Sequence, residues 1–78
     1  MDTNKQQKLA LEIANALQDM DSLQSYMMLT QRYQEAFLRK VLTKVLSIPE
    51  EKIKKSRGAL FTFLVNQHAQ NITNNIRD

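Results

Sequence analysis

The stretch from Ile48 to Val65, Ile-Pro-Glu-Glu-Lys-Ile-Lys-Lys-Ser-Arg-Gly-Ala-Leu-Phe-Thr-Phe-Leu-Val, decides the fold. It holds the only proline and the only glycine of the chain, together with its densest basic cluster. A polar, basic half and an apolar half meet at Lys54-Lys55-Ser56-Arg57-Gly58. Two arrangements of that junction are open. In the first, Pro49 opens a helical segment, where its missing N–H costs little and Glu50 and Glu51 complement the positive end of the dipole. Ser56 then caps a second helix beginning at Arg57, its hydroxyl accepting a first-turn N–H. The amino end of that helix, flanked by Lys54, Lys55 and Arg57, is a candidate anion site, and Gly58 lets a backbone or a phosphate come close. In the second arrangement one helix runs through from Pro49, Gly58 costs it about 1 kcal/mol relative to Ala, and the charges form a solvated face.

Beyond the junction, Ala59 to Val65 is the most apolar run in the chain, and its aromatic and β-branched content suits a strand as well as a helix. A helix is expected, because no second strand-like run exists to satisfy a strand's backbone and the pattern continues towards Ile72. Upstream, residues 23–46 contain neither glycine nor proline. Leu23, Tyr26, Met27, Thr30, Tyr33, Phe37, Val41 and Val45 return to one side, widened by Leu38, Leu42 and Leu46. A single helix of that length would extend about 36 Å, long for a compact domain of this size, which favours a break between Thr30 and Gln34. Ser47 to Pro49 ends the second half, since the residue before a proline avoids the helical region.

The first periodic segment runs from Lys5 to Met20, with Leu9, Ile13, Ala16, Leu17 and Met20 at helical spacing and a mixed polar face that suits burial against the rest of the domain. Asp19-Met20-Asp21-Ser22 marks a break. Asp21 or Ser22 is placed to cap the next helix, with Gln24 in a capping-box position relative to Asp21.

These segments predict an all-α single domain over residues 1–78, a small bundle of three to five helices whose ends, 1–4 and 72–78, fray. Its outline is helix-turn-helix-like: Phe37 to Ser47 as supporting helix, Pro49 to Lys55 as a short one, and Ser56 to Gln70 as the helix offered to a partner. At 78 residues the core supplies only a few kcal/mol of net stability, so a homo-oligomer, a dimer first, is expected. There is no cysteine and His68 is the only histidine. No metal site, cofactor or catalytic set is therefore expected, and the chain is read as a non-enzyme. The polar opening and the lack of a long apolar segment give no signal peptide or membrane contact, so the cytoplasm is the expected compartment.

The net charge of +3 is unevenly spread. Residues 1–21 carry two lysines against Asp2, Glu12, Asp19 and Asp21, whereas residues 32–57 carry eight basic side chains against Glu35, Glu50 and Glu51. A basic middle suits nucleic acid or an acidic protein. The first functional expectation is a binding module for DNA or RNA phosphates, contacted by Lys52, Lys54, Lys55 and Arg57 with Ser56 as cap, and extended by Arg39, Lys40 and Lys44. The alternative is a protein-interaction module, whether oligomerising subunit, adaptor or inhibitor of a larger machine. It would dock through Tyr26, Met27, Met28 and Leu29 and part of Phe61 to Val65.

Overall fold

The computed structural model describes residues 3–77, with side chains from Asn4 to His68. The chain forms four α-helices, α1 (Thr3–Ala16), α2 (Leu23–Arg32), α3 (Glu35–Ser47) and α4 (Arg57–Arg77). Two single 3-10 turns, Met20–Ser22 and Glu50–Lys52, lie between them, and no strand occurs among the described residues. Of the ends expected to fray, Thr3 and Asn4 lie in α1 and residues 72–77 in α4, while residues 1, 2 and 78 lie outside the described ones.

The apolar stripe of α1, Leu9, Ala10, Ile13 and Ala14, is buried together with Leu17 just beyond the helix. The helix stops four residues short of the expected Met20 because Gln18 turns left-handed, with φ 54°. Its amide donates to the Asn15 carbonyl and that of Asp19 to the Ala14 carbonyl, which is the paired bonding of a Schellman ending with glutamine in the place usually taken by glycine. Nor does the expected capping box form: Ser22 precedes α2 without a side-chain cap, and Asp21 lies inside the 3-10 turn.

The break between α2 and α3 falls where the sequence places it, with Tyr33 and Gln34 in extended conformation. Tyr26, Leu29 and Thr30 of α2 and Leu38, Leu42 and Val45 of α3 face the core, joined by Phe61 and Val65 of α4. Thr30 is the one buried polar residue among those described, and its hydroxyl donates to the Met27 carbonyl at 2.7 Å. Tyr26 and Phe61 meet edge to face, with ring centroids 5.9 Å apart and planes at 80°. The ambiguous run after the junction is thus helical, with Phe61 and Val65 one turn apart on the buried side.

The segment expected as a short helix over Pro49 to Lys55 is realised as one 3-10 turn. Ile48 before it and Ile53 after it are extended. α3 and α4 are therefore joined by residues 48–56, a connection longer than the three- or four-residue turn of a DNA-reading helix pair.

Candidate functional site

The junction arranges itself as the first of its two possibilities. Ser56 caps α4, its hydroxyl oxygen accepting the Ala59 amide at 3.1 Å. Gly58, in the first turn, is buried, and a Cβ built on it would stand 2.5 Å from the Tyr26 hydroxyl and 2.6 Å from Asp19 Oδ2. Its φ is not positive, so glycine serves here as space, not as conformational freedom. What comes close to this helix end is a pair from the protein itself: the Tyr26 hydroxyl donates to Asp19 Oδ2 at 2.8 Å. The carboxylate lies against the first turn of α4, where the dipole favours negative charge. Burial, and then the hydrogen bond to Asp19, raise the Tyr26 phenol above its ordinary pKa.

Both arginines expected at an anion have other partners. The Arg57 Nη1 donates to the carbonyls of Val45 at 2.7 Å and Ile48 at 2.9 Å, satisfying the carboxyl end of α3 in the manner of a cationic C-cap. Arg39 grips Glu12 with Nη1 at 2.6 Å and Nη2 at 3.0 Å and reaches Glu35 with Nε at 2.7 Å, tying α1 to α3. The hydrogen bond from Arg39 holds the Glu12 carboxyl below its ordinary pKa. Placed in the candidate phosphate set by sequence, these two side chains hold the helices together instead. Their partners are 4 to 27 residues away in sequence, and no local pattern announces the longer links.

The lysines behave differently. Lys40, Lys44, Lys52, Lys54 and Lys55 are all exposed. Lys52, Lys54, Lys55 and Ser56 line a groove of about 400 Å³ together with Ile53, Ala59, Leu60 and Phe63. Lys44 is not part of it; that residue lines a smaller hollow of about 210 Å³ with Phe37, Val41, Leu64, Gln67 and His68. In that hollow the His68 and Phe37 rings pack 4.5 Å apart. Lys55, Ser56 and Arg57 also line a third, polar hollow together with Gln18 and Glu50.

The apolar surface expected at Tyr26, Met27, Met28 and Leu29 does not form as one patch. Tyr26 and Leu29 are core residues, 1 % and 8 % exposed, and Met27 is half-buried. Only Met28 is open, at 56 %, since a helix cannot turn four successive residues to one side. Among the described residues the most exposed large apolar side chain is Phe63, at 59 %, in the groove. A signal for it was present: once Phe61 and Val65 point inward, the residue midway between them lies on the opposite face of the helix. Among the described residues no group of three or more histidine, aspartate or glutamate side chains could hold a metal ion. None of the described helices is long and apolar enough to cross a membrane.

No family model matches the chain, and no curated protein or solved structure matches it either.

Proposed function

We propose that this chain is a non-enzymatic module that binds a protein partner through the groove between its 48–56 connector and α4. The observation that carries this reading is Phe63, an aromatic side chain more than half exposed in a groove that it lines with Ile53, Leu60 and three exposed lysines. An aromatic anchor in an apolar hollow, surrounded by charge that steers the partner and excludes the wrong one, is the composition of a binding hot spot. The phosphate reading is the second one. It keeps the support of five exposed lysines, but Arg57 is anchored to α3, Arg39 is spent on two glutamates, and the first turn of α4 already has a carboxylate against it.

Salt separates the two. Five lysine–phosphate contacts would make affinity fall roughly 500-fold between 50 and 200 mM salt, with a slope of about −0.9 per contact. Groove docking on Phe63 predicts no saturable binding of duplex or single-stranded DNA or RNA above 150 mM salt. It also predicts a protein partner whose affinity changes less than tenfold over that salt range and is lost in Phe63→Asp. Steeply salt-dependent nucleic-acid binding that Phe63→Asp leaves intact would replace this reading with the phosphate one.

A further inference from the structure

From the composition of the groove, we infer that its occupant is an amphipathic α-helix with an acidic flank, belonging to a different protein. The inference rests on the docking reading above and specifies the partner. Three features of the surface lead to it.

The first is charge. Lys52, Lys54 and Lys55 are exposed and line the groove together with Ile53, Ala59, Leu60 and Phe63. A partner that seats apolar side chains there brings its flanking residues within reach of three ammonium groups. Carboxylates at those positions are attracted and further cations are repelled.

The second is backbone. A peptide that adds as a strand needs an exposed strand edge, and the described residues contain no strand; a polyproline segment docks in a groove lined by several aromatic rings, and Phe63 is the one aromatic side chain lining this groove. A helix satisfies its own backbone and needs from its receptor only an apolar strip, which Ile53, Leu60 and Phe63 supply. Side chains spaced three and four apart on such a helix lie side by side and enter the hollow together.

The third is what a second copy could offer. Among the described residues, α2 and α4 contain no acidic side chain, and the acids of α1 and α3 are Glu12 and Glu35. Both of these are bound to Arg39. Asp19 is engaged by Tyr26, and the remaining acids, Asp21, Glu50 and Glu51, sit in 3-10 turns. Among the described residues there is therefore no helix with an unengaged acidic flank to place in a second copy's groove, which favours a different protein as the partner.

The test uses the full chain, labelled with ¹⁵N, and three synthetic helical probes of equal length. One carries leucines at i, i+3, i+4 and i+7 with glutamates elsewhere. The second has the same composition with the leucines redistributed so that no apolar face forms, and the third replaces every glutamate of the first by lysine. The expected result is saturable movement of the Ile53, Ala59, Leu60 and Phe63 amide signals with the first probe. Affinity should be at least tenfold weaker with each of the other two, and at least tenfold weaker for the first probe on Phe63→Asp. Equal response of the groove to the first two probes would overturn the helix while leaving protein docking in place. Equal or stronger response to the lysine probe would overturn the acidic flank. No response at the groove to any probe at millimolar concentration would overturn the inference as a whole, and the salt experiment above still decides the docking reading by itself.

Discussion

At the scale of single residues, Gly58 shows how a position can be conspicuous in a sequence for a reason the sequence does not give. As the lone glycine beside a basic cluster it suggests room for a phosphate. The space is in fact filled by the Tyr26 hydroxyl and the Asp19 carboxylate, 32 and 39 residues earlier in the chain. Adding one methyl group there sets two effects against each other. Alanine favours the helix by about 1 kcal/mol over glycine, while forcing a group into a packed contact costs about 1–3 kcal/mol. The contact is with a rigid ring's hydroxyl, so overpacking prevails, and Gly58→Ala is expected to lower stability by about 1 kcal/mol in a denaturant titration. The same substitution in a Tyr26→Phe background, where the hydroxyl is gone and the Asp19 carboxylate is no longer held in place by it, should cost clearly less. Equal cost in both backgrounds would show that the hydroxyl is not what Gly58 accommodates.

At the scale of helices, most of what is readable is local, although the left-handed end of α1 at Gln18, the absent capping box at Asp21 and the single 3-10 turn after Pro49 depart from the local pattern. The α2–α3 break at low-propensity residues, the end of α3 before Pro49, the Ser56 cap and the helical course of Ala59 to Val65 all follow from neighbours a few residues apart. Where a side chain reaches across the fold, local pattern fails. Eight basic residues in the middle of the chain look alike, yet two of the three arginines are structural, while Arg32 and the five lysines remain at the surface. Planar, multiply donating guanidinium groups suit that division, because they can hold two acceptors at once. Arg57→Ala removes two bonds from a charged donor to the end carbonyls of α3 and should reduce stability by about 2 kcal/mol. Lys54→Ala should change it by less than about 0.5 kcal/mol. Thermal melts of the two variants check this, and equal effects would mean that Arg57 is an ordinary surface charge.

At the scale of the whole molecule, twelve buried apolar residues among those described, drawn from all four helices and from Leu17 just beyond α1, hold a body 38 × 35 × 18 Å. Its thinnest dimension corresponds to about two packed helices, at interaxial distances of about 8–10 Å. Two titrating groups give its stability a defined shape with pH. The Glu12 carboxyl is held below its ordinary pKa in the fold. Its contribution is therefore present above the unfolded value of about 4.3 and lost as the pH falls towards the folded one. Tyr26 is shifted the other way. The folded state resists its ionisation, so that contribution is intact below about pH 10 and disappears as the pH rises beyond it. Melting temperatures across the pH range should form a plateau falling at both ends. Glu12→Gln should flatten the acid side and leave the alkaline side unchanged, whereas a parallel loss at both ends would detach the acid limb from Glu12.

The claim on which the functional account depends is that Phe63 is held at the surface for a partner and adds nothing to the fold. The most direct measurement is the thermal unfolding of Phe63→Asp beside the unaltered chain, at two protein concentrations tenfold apart. With Phe63 59 % exposed and three lysines around it, the account predicts an unchanged or slightly raised midpoint that does not depend on concentration. A midpoint lowered by several degrees, or one that depends on concentration only in the unaltered chain, would mean that Phe63 is buried in the native fold or between two copies, and would contradict the account.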